Sequence, residues 1–219
     1  MFVLAWNDGG DNRFNETSIT ALGAALDEVE AADGPKALVT TGAGKFFSNG
    51  LDLDWMGGDD CDDVDAFLGT VVGLLGRVLT FPAVTVAALN GHAFAGGAML
   101  AVAHDHRVMR DDRGFWCTPE VDLGMRFMPG MNDVLVAKLP APTAHTAMTL
   151  GRRYPADEAL AAGIVQATAA ESEVLETAVT HAAAHAAKAG AVLGAIKRDL
   201  YPTAAASCAA GDMPPPIDQ

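Results

Sequence analysis

From Val78 to Ala103 the sequence carries no formal charge, yet the run contains Pro82, Asn90, His92 and three glycines. An uncharged run of this length imitates a membrane span, but Pro, Asn, His and the glycines interrupt it. It divides into a strand-like piece (Val84–Leu89), a turn at Asn90-Gly91 and a helix-like piece (Gly96–Ala103). Both read as buried elements of a soluble core.

The rest of the chain surrounds them with alternating strands and helices. Phe2–Trp6 and Ala37–Thr41 read as strands, with Asp8–Asp11 a turn. Between them, Ile19, Leu22, Leu26 and Val29 form the stripe of an amphipathic helix over Thr17–Ala32, ended by Gly34-Pro35. Thr41–Gly50 reads as a glycine-bearing loop and Gly57–Asp65 as an acidic surface loop. Val64–Thr80 reads as a second helix. Arg107–Met109 and Phe115–Cys117 read as short strands around the turn Asp111–Gly114. From Gly130 onward the pattern is helical, with a strand at Ile164–Gln166 and a Pro-rich tail after Gly211 expected to fray. This alternation predicts an α/β fold, with no linker and no internal repeat.

Charge narrows the function. With 14 basic and 28 acidic residues, the net charge of −14 leaves no field to attract nucleic acid or an anionic membrane. Half the residues are hydrophobic, which excludes intrinsic disorder. Cys61, Cys117 and Cys208 suit neither a disulfide framework nor a CxxC metal pair. No signal peptide is read in Met1–Asn12, and Pro216-Ile217-Asp218-Gln219 does not end in a peroxisomal tripeptide; a reducing cytoplasm is the expected compartment.

Thr41-Gly42-Ala43-Gly44-Lys45 invites a phosphate-loop reading. Val39 stands where the first Walker glycine belongs, and Phe46 where Ser or Thr should follow the lysine. The dinucleotide fingerprint fails at Phe47, and a nucleophile elbow at Ser48 fails at Phe46. Two loops remain, each after a predicted buried strand: Phe47–Leu53 and Gly91–Ala98. Their small residues let backbone N–H groups approach a ligand closely, and the second loop opens a helix. Two amides converging on one oxygen would form an oxyanion hole; the competing reading is tight turns and helix packing alone.

Taken together, Phe47-Ser48-Asn49-Gly50-Leu51-Asp52-Leu53, Asn90-Gly91-His92-Ala93-Phe94-Ala95-Gly96-Gly97-Ala98, Asp105-His106-Arg107-Val108-Met109 and Pro119-Glu120-Val121-Asp122-Leu123-Gly124 resemble the enoyl-CoA hydratase/isomerase (crotonase) superfamily. The likeness covers roughly residues 1–170 and looks most like its Δ3,Δ2-enoyl-CoA isomerase branch. It implies a ββα-spiral core over residues 1–140 and a helical region over 141–219 that builds a homotrimer or a dimer of trimers. It implies an acyl-CoA ligand, with coenzyme A part of the substrate and no separate cofactor or metal. Leu51 and Gly96 would supply the oxyanion-hole amides and Glu120 the catalytic carboxylate. Arg13, Phe14, Lys36, Lys45, Ser48, Asn49 and Met99 would bind substrate. Asp52, Asp105 and Asp122 are expected to be structural.

The resemblance also exposes a departure. The hydratase branch has a second glutamate where this chain has Met99. Methionine cannot activate water, whereas moving a double bond needs only one base that takes a proton from C2 and returns it to C4. The implied reaction is therefore Δ3,Δ2-enoyl-CoA isomerisation within fatty-acid β-oxidation. The alternatives are another crotonase-type reaction (thioester hydrolysis, decarboxylation or hydration) or a non-catalytic acyl-CoA-binding subunit. His181 and His185, four residues apart, share a helix face that could meet a metal, but a packed or solvated face is the simpler reading.

Overall fold

The computed structural model describes residues 1–215. In chain order it contains β1 (Phe2–Trp6), β2 (Arg13–Phe14), α1 (Glu16–Ala31), β3 (Ala37–Gly42), β4 (Phe46–Ser48), β5 (Gly50–Leu51), α2 (Leu53–Met56) and α3 (Val64–Leu79). There follow β6 (Val84–Leu89), β7 (His92–Phe94), α4 (Gly96–Ala103), β8 (His106–Arg110), β9 (Trp116–Cys117) and α5 (Pro129–Lys138). The chain continues through α6 (Ala141–Leu150), α7 (Ala156–Ala161), β10 (Ala167–Ala169), α8 (Val174–His185), α9 (Ala191–Leu200) and α10 (Pro202–Ala210).

Five strands pair in parallel in the order β1-β3-β6-β8-β10. Side chains alternate across this sheet, and both faces are buried. Ala37, Val39, Val86, Ala88 and Val108 meet Val174, Ala178 and Ala182 of α8. Leu38, Ala87, Leu89 and Met109 point the other way into the main core, which α1, α3 and α4 close. Such double burial explains why Val84–Leu89 reads as a run without alternation. A smaller parallel sheet, β4-β7-β9, lies beyond the C-terminal ends of β3 and β6, and β2 pairs with β5.

Two sequence assignments change. The stretch read as a loop at Thr41–Gly50 contains β4, which pairs with β7 through a register shift between Phe46 and Ser48. The strand expected at Ile164–Gln166 forms instead at Ala167–Ala169. Ile164 and Val165 are buried, and their amides close α7 by donating to the Ala159 carbonyl. Among the described residues no helix is long and apolar enough to cross a membrane. The tail reading at residues 216–219 lies outside the described residues.

Candidate active site

The small sheet brings the two loops and the Pro-Glu turn together. Its three strands are parallel and adjacent. Leu51 follows β4, Gly96 follows β7 and Glu120 follows β9, so all three leave the same edge. That edge, beyond the carboxyl ends of parallel strands, is where open α/β sheets bind ligands.

Close backbone contacts hold the loops against each other. Gly50 has φ +81°, and a Cβ there would lie 3.0 Å from the Gly96 nitrogen. The Ser48 hydroxyl accepts from the Gly50 amide at 3.2 Å. Asp52 N–H donates to the Phe14 carbonyl at 2.9 Å, so by strand alternation the Leu51 amide points away from β2. That side belongs to Gly96. Ala95, just before α4, has φ +49° and ψ −124°, a conformation a non-glycine residue rarely adopts. Its amide is tied to the Cys117 carbonyl at 3.0 Å. The turn aims the first amides of α4, which have no acceptor within the helix, outward. Backbone strain held this way recurs at sites whose geometry must be ready before the ligand arrives.

These elements line a cavity of about 680 Å³. Leu51, Gly96, Met99 and Glu120 all lie in its wall, with Leu68, Met125, Met128 and Met131 supplying apolar surface. Arg13, Asn49, Asp54, Arg126 and Arg153 supply polar surface. Glu120 is only 6% exposed, and its buried Oε2 has no hydrogen-bond partner among the described residues. Burial pushes its carboxyl group up to about 7. An unpaired carboxylate in an apolar cavity, able to hold or release a proton near neutrality, suits general-base chemistry.

The other sequence candidates divide. Arg13 and Asn49 reach the cavity; Arg13 also pairs with Asp11 and Asp54, each at 3.3 Å. Met99 lies in the wall and is 1% exposed. Phe14 does not line the cavity but packs beneath Gly96, whose added Cβ would sit 3.0 Å from the Phe14 ring. Ser48 is likewise buried behind the loop. Lys36 is not brought to the cavity: its Nζ donates to the Glu30 and Ala32 carbonyls at the end of α1, at 2.6 Å each. Lys45 lies 5.1 Å over the Phe46 ring, also outside the cavity wall.

The residues expected to be structural are engaged as such. Asp52 caps α2, accepting from the Trp55 amide at 3.4 Å, and Asp105 pairs with Lys197 at 2.6 Å. Asp122 sits outside the cavity, beside Gly151. His106 stacks on His181 at 3.7 Å between ring centroids, and His181 meets His185 at 5.0 Å. Among the described residues no group of three His, Cys, Asp or Glu side chains is placed to hold a metal ion.

Three contributors escaped the sequence reading. Arg153 enters the wall because Trp116 and Tyr154 exchange backbone hydrogen bonds of 2.9 Å; its guanidinium lies 5.6 Å over Phe94. Asn12 is buried, and its amide donates to the Phe46 carbonyl at 2.9 Å, bracing the first loop. Third, Met213 and Pro214 line the cavity, and Arg126 donates to the Pro215 carbonyl. The tail through Pro215 therefore does not fray as expected, because α10 delivers it onto the cavity.

A parallel-sheet scaffold that sets backbone amides beside one buried carboxylate defines a class of α/β proteins organised around an oxyanion-binding loop. Residues 7–210 match the family model described as enoyl-CoA hydratase/isomerase. Enoyl-CoA delta isomerase 3 of Arabidopsis thaliana is 35% identical over 211 residues, covering 92% of this chain and 89% of that protein. Two structures of a Mycobacterium tuberculosis protein, one called an enoyl-CoA isomerase and the other a probable enoyl-CoA hydratase, are 29% identical, with TM-scores of 0.87 and 0.88. They cover 95% of this chain, which spans 90% and 88% of theirs. The human mitochondrial delta3-delta2-enoyl-CoA isomerase is 27% identical at a TM-score of 0.83, covering 93% of this chain and 80% of that one. The chain belongs to the enoyl-CoA hydratase/isomerase family.

Proposed function

We propose that this protein is a Δ3,Δ2-enoyl-CoA isomerase using Glu120 as its single acid–base group. The observation that carries the reading is the pairing of Glu120, buried and unpartnered, with Met99 in the same cavity wall. One carboxylate can take a proton from C2 of a 3-enoyl thioester and deliver it to C4. As the C2–H bond breaks, its electron pair forms the C1–C2 double bond of a dienolate. Negative charge then collects on the thioester oxygen, where the Leu51 and Gly96 amides receive it. Protonation at C4 restores the carbonyl and leaves the double bond at C2–C3. Each amide donor is worth roughly 2.7–4 kcal/mol in such a site, and the base about 10²–10⁴-fold in rate.

Hydration would need a second group to activate water, and Met99 offers none. The names of the Arabidopsis and human relatives favour the same choice. Turnover of a 3-enoyl-CoA to its 2-enoyl isomer, compared with Glu120→Gln, tests the reading. Loss of at least about 10²-fold is expected. Equal activity in both proteins would remove Glu120 from the mechanism.

Self-association as a homotrimer is supported by Val192, Ile196 and Leu200, which leave one face of α9 apolar and exposed. Sedimentation of the parent and of Ile196→Glu tests it: the variant should shift to a smaller species, and a monomeric parent would refute it.

A further inference from the structure

We infer that the segment Met213-Pro214, beyond the last helix, sets the length of acyl chain that the cavity accepts; this rests on the acyl-CoA reading above. The path of the segment is fixed by close packing. α10 crosses α3 and α5 where side chains are smallest: a Cβ on Gly76 would lie 2.5 Å from the Cys208 Cβ, and one on Gly130 would lie 3.1 Å from the Cys208 Cα. α10 then ends at Gly211, φ +65°, whose own Cβ would sit 3.4 Å from the Gly69 Cα. Gly69 adjoins Leu68 and Gly130 adjoins Met131, both in the cavity wall. The chain therefore leaves α10 at the apolar part of the cavity. Met213 and Pro214 continue that wall, and Arg126 holds the far end through the Pro215 carbonyl.

An alkyl chain leaves water for this apolar part and not for the part lined by Arg13, Asn49 and Asp54. Each methylene that finds wall there tightens binding roughly fourfold, and a methylene beyond the wall gains nothing. The wall is thin: Met213 is 41% exposed, so its outer side already faces solvent. Shortening or widening it should therefore move the point at which affinity stops rising with chain length.

The test is the dissociation constant of saturated straight-chain thioesters, butanoyl- to hexadecanoyl-CoA, measured by calorimetry. Saturated thioesters cannot isomerise, so the readout is independent of catalysis. The parent protein should show affinity rising to a break length. The double variant Met213→Ala/Pro214→Ala should move the break to longer chains, raising the long-to-short affinity ratio about tenfold. Met213→Trp should move it to shorter chains. A break unchanged in both variants, or a uniform loss at every length, would overturn the inference while leaving the isomerase reading intact. A parent that binds no acyl-CoA of any length would overturn both.

Discussion

Gly97 rests directly on Ser48: a Cβ at position 97 would come within overlap distance of the Ser48 carbonyl oxygen and 2.6 Å from its Cβ. Ser48 belongs to β4 and cannot move aside without breaking the pairing that carries Leu51. Gly97→Ala should therefore cost about 1–3 kcal/mol in denaturant unfolding and should also lower activity. Gly23→Ala is the control. Nothing lies within 4 Å of a Cβ there, inside α1, so it should gain about 0.5–1 kcal/mol. Equal stability changes at the two positions would show that the loop contact is not tight.

Glu120 must be ionised to take a proton, and burial holds its carboxyl group at about 7. Isomerase kcat/KM should therefore climb tenfold per pH unit below that value and level off above it. A rate flat from about pH 5 to 8 would mean that an ordinary, solvated carboxylate is the base.

The same burial makes Glu120 a liability to the fold. Its folded-state value, about 7, lies above the ordinary 4.5, so the folded protein binds more protons than the unfolded chain between those values. This contribution to stability is complete below about pH 4.5 and is lost as pH rises through about 7, for a total on the order of 2–3 kcal/mol. Glu120→Gln should raise the melting temperature at about pH 8 more than at about pH 5. A variant less stable than its parent at the higher pH would contradict the desolvation argument.

Met99→Glu should place a second carboxylate in the cavity wall. Water addition to a 2-enoyl-CoA should become measurable, and isomerase activity should fall because two close carboxylates resist ionising together. Hydration by the parent protein at a rate matching its isomerisation would refute the role assigned to the methionine.

The most legible parts of this fold are those whose burial leaves no alternative. Val84–Leu89 and Gly96–Ala103 have one apolar character from end to end, and their boundaries follow from the glycines and polar residues beside them. β4 is different: Phe46, Phe47 and Ser48 are strand only because β7, more than forty residues later, lies beside them. The cavity shows the same division. Leu51, Gly96 and Glu120 sit in local motifs, whereas Arg153 enters through the Trp116–Tyr154 pairing and Met213 through the crossing of α10 over α3 and α5. Lys36 shows the converse error. A cation close in sequence to a loop is turned by its backbone to the end of α1, and no local pattern records that turn.

The strand order β1-β3-β6-β8-β10 also follows chain order without exception. Every strand of the large sheet joins a neighbour synthesised before it, and none has to insert between two already paired. A nascent chain can thus extend its sheet from one edge as it lengthens, keeping one growing edge open at a time. For a parallel sheet, whose long-range pairings are intrinsically slow and prone to aggregation, this order removes the need to reopen what has already folded.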